Sequence, residues 1–192
     1  MKATSKQNSS VKRLKQTVIL KWNPAISSIS FYDFLFRILW DDNKADWSIW
    51  DRTKVHKGDR FFMLKVGYGT CGIVEAGTIT SDPVPDKNWN KQGGKVYYSD
   101  YRSEIMINPE TLPIIETEEL QAVIPDFDWT GGHSGMVLKD GQAKVLQKLY
   151  ITYLRENAPL FAERFELIDK RGMENDQLYL SRSLSRRLFE RS

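Results

Sequence analysis

The chain has 192 residues, of which 41% are apolar and 28% charged, and its mean hydropathy is -0.48. That length holds one well-cored domain with appendages, since domains take roughly 100–200 residues each, and no 18-residue apolar run offers a membrane span. The net charge of +3 is unevenly placed: residues 1–21 carry six basic side chains and no acid, whereas residues 22–154 carry 14 basic and 18 acidic ones. A basic leader on a slightly acidic body points to contact with a polyanion or to a solvated tail. One cysteine, Cys71, and two histidines exclude a disulfide framework and a cysteine-based metal site. No apolar stretch follows the first basic residues, so no signal peptide is expected and the expected compartment is cytoplasmic.

Residues 1–15 are rich in Ser, Lys, Gln and Asn and are expected to be a disordered tail. Residues 16–154 are expected to form the domain, and 155–192 a helical extension. The apolar, β-branched run 17–22 predicts a buried first strand, which Asn23-Pro24 ends because proline cannot continue a ladder. Ser30 suits a helix N-cap, with Asp33 near the positive end of the dipole. Phe31, Phe34, Leu35 and Ile38 follow at helical spacing, and Trp40 closes that face as an expected core residue. Residues 57–59 predict a turn, 60–66 a strand, 67–72 a loop and 73–81 a second strand, so the pair reads as an antiparallel hairpin. Residues 82–94 predict a loop holding Trp89. Residues 96–98 and 104–107 predict two further strands, and 112–123 a loop with a short helix near Thr117 and Glu118. Helical periodicity runs over 143–154, resumes over 160–168 after Pro159, and returns in the Arg-rich stretch 176–191. The order predicts an α+β fold, a small mixed β-barrel with flanking helices.

Two motifs have catalytic spacing without the context that chemistry needs. Gly67, Gly69 and Gly72 match a dinucleotide fingerprint, but the residues that follow read as a strand and not as the helix whose N-terminus holds pyrophosphate. Gly132-His133-Ser134-Gly135 has a serine between glycines but Met136 where a nucleophile elbow needs glycine. His133 adjoins Ser134, a poor position for a base facing its nucleophile. Asp126 and Asp128 read as loop acids, and no residue set predicts a metal or a cofactor.

Tryptophans carry the strongest signal. Trp22, Trp47, Trp50, Trp89 and Trp129 sit at element ends or in polar loops, the places where a rigid scaffold presents its sites. Such residues either plug the barrel ends or form a slot that stacks a flat ligand.

Read together, Lys21-Trp22-Asn23-Pro24, Trp47-Ser48, Gly58-Asp59-Arg60-Phe61-Phe62, Gly72-Ile73-Val74-Glu75-Ala76-Gly77-Thr78-Ile79 with Ser81 and Pro83, Trp89, and Ser134-Gly135 resemble an EVE domain of the PUA-like superfamily, related to YTH domains. The likeness covers roughly residues 17–150 and is nearest to the EVE modules that accompany HNH nucleases in modification-dependent restriction and defence. It implies a compact β-barrel and a pocket that reads a modified base of DNA or RNA. By motif, Trp22 and Asn23 would stand at the pocket mouth, Trp47 and Ser48 would form a second wall, and Trp129, Ser134 and Gly135 a third. Trp50 and Trp89 are further candidates, and Lys21, Arg52, Lys54 and Lys65 are candidate phosphate contacts. The chain has no HNH motif, so the resemblance implies binding without cutting. Two other roles stay open: a sensor of a free flat ligand such as a modified nucleoside, and an interaction subunit whose residues 176–191 dock a nuclease or a second copy.

Overall fold

A computed structural model describes residues 13–88 and 93–160. The elements are β1 (Thr17–Trp22), α1 (Phe31–Leu39), β2 (Lys44–Ser48), β3 (Arg60–Lys65), β4 (Gly72–Ile79), β5 (Val84–Lys87), β6 (Lys95–Met106), β7 (Ile115–Glu116), α2 (Thr117–Val123), β8 (Met136–Val137) and α3 (Asp140–Glu156). A short 3-10 turn, Ala158–Leu160, follows. The strands form one mixed sheet in the order β2-β6-β4-β3-β1-β8, with β5 added to β6 and β7 to β4. β1 and β3 run parallel, in register from Thr17 opposite Arg60 to Trp22 opposite Lys65, and the other pairs are antiparallel.

The sheet curls until its two ends meet. Just past β2, the Trp50 and Asp51 N–H groups donate to the Ser134 and Gly135 carbonyls at 3.0 Å each, while the Gly135 N–H donates to Ile19 of β1 at 2.9 Å. A Cβ on Gly135 would lie 2.4 Å from the Ile49 Cα, and its φ is +75°. Only glycine allows the two backbones to approach this closely in that conformation.

α1 begins with a complete capping box. The Ser30 hydroxyl accepts from the Asp33 N–H, and the Asp33 carboxylate accepts from the Ser30 N–H, so two orphan donors of the first turn are satisfied. The inward face of α1 is Phe34, Arg37 and Ile38. Trp40, expected in the core, is instead 71% exposed on the outer face and packs on Phe36 at 5.1 Å. It falls half a turn from Ile38, away from the sheet.

β3 is buried along its whole length, with Phe61 against Tyr101 on β6 and Phe62 against Tyr150 on α3. An ionic cluster lies within this core. Arg37 contacts Glu75 at 3.2 Å and the Tyr101 hydroxyl at 3.0 Å, and the Ser103 hydroxyl also donates to Glu75. Burial pushes the Glu75 carboxyl up, against the opposing pull of Arg37.

The structure corrects several sequence expectations. Residues 82–94 are not all loop, since β5 pairs with β6 from Val84 opposite Tyr98 to Lys87 opposite Lys95. The strands expected at 96–98 and 104–107 are one 12-residue strand, β6. β2 was not foreseen at all. Arg13, expected in a disordered tail, is ion-paired with the buried Asp59. Residues 1–12, Trp89 and the helical stretches expected beyond residue 160 lie outside the described residues. Among the described residues, no helix is long and apolar enough to cross a membrane.

Candidate functional site

Where the sheet ends meet, a cavity of about 440 Å³ opens between four segments: the loop after β1, the end of β2, the start of β6, and residues 130–134. That size lies within the range of small-ligand clefts, ~300–1,000 Å³. Its aromatic lining comes from Trp47 and Tyr98, and its polar lining includes Asn23, Asp46, Ser48 and Ser134.

Ser134 is the centre of this arrangement. Its Oγ accepts the Trp47 indole N–H at 2.8 Å and the Lys21 backbone N–H at 2.8 Å. Both lone pairs are therefore used, and the hydroxyl proton is left as a donor. Trp47 is locked by that bond and is 7% exposed. In the β2–β6 ladder Ser48 lies opposite Tyr98, and directly opposed residues share a sheet face. Asn23 accepts the Ala25 N–H on Oδ1 at 3.1 Å, forming the local Asx turn that Asn-Pro sequences favour.

Residues 130–134 are held from two sides. The Asp128 carboxylate accepts the Gly131 N–H at 2.7 Å and the Thr130 N–H at 3.2 Å. The Lys21 ammonium donates to the carbonyls of Asp128 and Gly131. The Gly131 N–H, and the Lys21 charge to a lesser degree, hold the Asp128 carboxyl below its ordinary range. Partial burial lowers the Lys21 ammonium, against the opposing charge of Asp128. At the rim, the His133 imidazole stacks on the Trp50 indole, with ring centroids 3.4 Å apart and planes 7° from parallel. Trp50 is 58% exposed.

The structure thus gathers Asn23, Trp47, Ser48 and Ser134 around one cavity. Gly135 lies behind it as the closure of the sheet, and Trp50 stands beside it through His133. Two residues expected as walls are core instead. Trp22 is 1% exposed, stacked on Phe31 and tilted against Phe34, and its indole N–H donates to Ile29 at 2.8 Å. Trp129 is fully buried, packs on Phe127 and donates to Ile124 at 2.9 Å. Each indole finds a carbonyl within a few residues, so neither needs solvent or ligand to satisfy its N–H.

Most of the candidate phosphate contacts have partners within the protein. Lys21 braces the 128–131 turn, and Lys54 pairs with Asp51 at 3.2 Å. Lys65 is buried, its ammonium donating to the Tyr68 and Thr70 carbonyls. Arg52 lies over the Tyr97 ring at 4.2 Å. The lining residues not expected from the sequence are Tyr98, Asp46, Val66 and the segments 26–29 and 130–133. Among the described residues, no cluster of His, Cys, Asp and Glu suits a metal ion.

No family model matches the chain, and no curated protein matches it. Among solved structures, it is similar to a protein of Pseudomonas syringae at 16% identity and a TM-score of 0.48, covering 69% of this chain and 98% of that one. It is similar to a hypothetical protein from Leishmania major at 9% identity and a TM-score of 0.47, covering 70% of this chain and 94% of that one. A third is the Mmi1 YTH domain, at 10% identity and a TM-score of 0.44, covering 74% of this chain and 78% of that one. At TM-scores below 0.5 these likenesses fix neither family nor function.

Proposed function

We propose that the chain is a non-enzymatic, EVE-type module of PUA-like fold that reads a modified nucleobase of DNA or RNA in the Trp47–Tyr98 cavity. The observation that carries this function is the pairing of two aromatic side chains with a serine hydroxyl whose acceptor capacity is already used. Stacking on an aromatic returns about 1–3 kcal/mol per base, enough to offset the few kcal/mol spent on extruding one. A single added methyl contributes about 0.8 kcal/mol by burial, roughly fourfold in affinity. Discrimination therefore needs polar groups matched to the base edge. Ser134 supplies a fixed donor, Asn23 an amide, and Asp46 an acceptor.

A second ligand class fits the same cavity: a free modified nucleoside or another flat molecule. The engagement of Lys21, Lys54 and Lys65 within the protein favours it, because affinity for a strand ordinarily rests on free cations at its phosphates.

Tryptophan fluorescence tests both. Titration with N6-methyladenosine, 5-methylcytidine and their unmodified parents should show saturable quenching for a modified member that exceeds its parent. Equal response to modified and unmodified members would overturn the modified-base assignment.

A further inference from the structure

A second cleft adjoins the first. It has a volume of about 310 Å³, and its lining includes Pro24, Phe31, Tyr68, Pro109 and Glu110. Asn23 lines both cavities. Gly67 packs against the Asn23 side chain, where a Cβ would lie 2.9 Å from Asn23 Oδ1.

Tyr68 is 97% exposed, yet the loop that carries it is braced from beneath. The buried Lys65 ammonium donates to the carbonyls of Tyr68 and Thr70, the latter at 2.9 Å. The Cys71 Sγ lies within hydrogen-bond distance of the carbonyls of Gly67 and Gly69, at 3.2 and 3.3 Å. A buried lysine committed to two carbonyls of one short hairpin loop fixes the backbone on which an uncovered aromatic ring stands. Rigid aromatics presented at a cleft are the usual platform for stacking a base without regard to sequence.

We propose that this cleft is a second base subsite: the base next in the strand to the one in the Trp47–Tyr98 cavity stacks on Tyr68. The proposal rests on the first cavity holding a base. Asn23, common to both linings, would stand between the two bases and keep them splayed apart and not stacked on each other. Glu110 is an acceptor in the cleft lining, which suits a neighbour with an exocyclic amino group, such as cytosine or adenine, over uracil or thymine. The glycine-rich hairpin loop, which has the spacing of a dinucleotide fingerprint and lacks its helix, thereby acquires a role.

The test compares a modified nucleoside, N6-methyladenosine or 5-methylcytidine, with dinucleotides in which cytidine or uridine is joined to that nucleoside on either side. Binding is followed by tryptophan fluorescence on the full chain and on Tyr68→Ala. One cytidine dinucleotide should bind about 5- to 150-fold tighter than its nucleoside. Tyr68→Ala should abolish that gain and leave nucleoside affinity unchanged, and the uridine dinucleotide should gain less. A dinucleotide no tighter than the nucleoside, or a gain that survives Tyr68→Ala, overturns the second subsite while the first stands. Failure of nucleosides and dinucleotides alike to bind overturns both.

Discussion

Ser134 Oγ accepts the Trp47 indole N–H from β2 and the Lys21 backbone N–H from β1, both at 2.8 Å, and so ties together strands from opposite halves of the sheet. This oxygen adds a side-chain tie to the backbone hydrogen bonds that close the sheet, and it lines the candidate site. Replacing it by alanine strands two donors, each worth about 1–3 kcal/mol when buried without a partner. Ser134→Ala should therefore lower stability by about 2–6 kcal/mol in urea unfolding, with little change in the slope. A loss under about 0.5 kcal/mol, the level of an ordinary surface change, would contradict this bridging role.

Tyr98 is half-buried at the cavity and takes no part in the main core cluster. Tyr98→Ala should reduce affinity for the modified nucleoside by about 5- to 150-fold, with a much smaller effect on unfolding than Ser134→Ala. Affinity and stability measured on the same preparation separate the two effects.

Trp22 and Trp129 act in the opposite sense. Both are buried with satisfied N–H groups, and removing a core tryptophan costs about 3–5 kcal/mol. Trp22→Ala and Trp129→Ala should lower the melting temperature steeply by circular dichroism, and any loss of binding should track the unfolded fraction. A variant that melts like the parent yet fails to bind would return that residue to the site.

The Arg37–Glu75 pair should show the asymmetry of buried ion pairs. Glu75→Ala leaves the Arg37 guanidinium without its counter-charge and should cost about 3–5 kcal/mol. Replacing both residues with apolar ones should restore much of that loss in a double-mutant cycle. Equal losses for the single and double variants would exclude the pairing as the cause.

Acid should release the 130–134 wall only at low pH. The Asp128 carboxyl is held below its ordinary value of 3.8, mainly by the Gly131 N–H. A depressed folded-state pKa contributes stability above the unfolded value and loses it as pH falls through the folded value. The Gly131 amide proton should therefore keep its hydrogen-bonded chemical shift from pH 7 to 4 and titrate with a midpoint below 3.8. A midpoint above that value would show that the Asp128 turn is not anchored this way.

Local signals in the sequence located much of the scaffold. The apolar run of β1, the Ser30–Asp33 cap of α1 and the glycine-bounded β3–β4 pair each carry their own pattern, and each forms close to its expected bounds. β2 was illegible because Lys-Ala-Asp-Trp-Ser buries only Trp47, so its strand character comes from pairing with β6 and not from alternation. β6 read as two strands because Ser99, Asp100, Arg102 and Ser103 interrupt its apolar residues. Trp22 and Trp129 look solvent-facing beside Asn-Pro and Gly-Gly, yet folded loops supply their N–H groups with carbonyls. Tyr98 was missed because its role depends on a register, opposite Ser48, that no local pattern encodes.

The central claim is that the Trp47–Tyr98 cavity recognises a modified base, and matched short oligonucleotides test it most directly. Single strands with and without one modified adenine or cytosine are titrated against the full chain at low and high salt, with tryptophan fluorescence as the readout. Phosphate contacts weaken as salt rises, whereas stacking in the cavity does not. Modification-dependent quenching that persists at high salt and is lost in Tyr98→Ala is the predicted result. Uniform binding that disappears at high salt and ignores both the modification and Tyr98→Ala would contradict it.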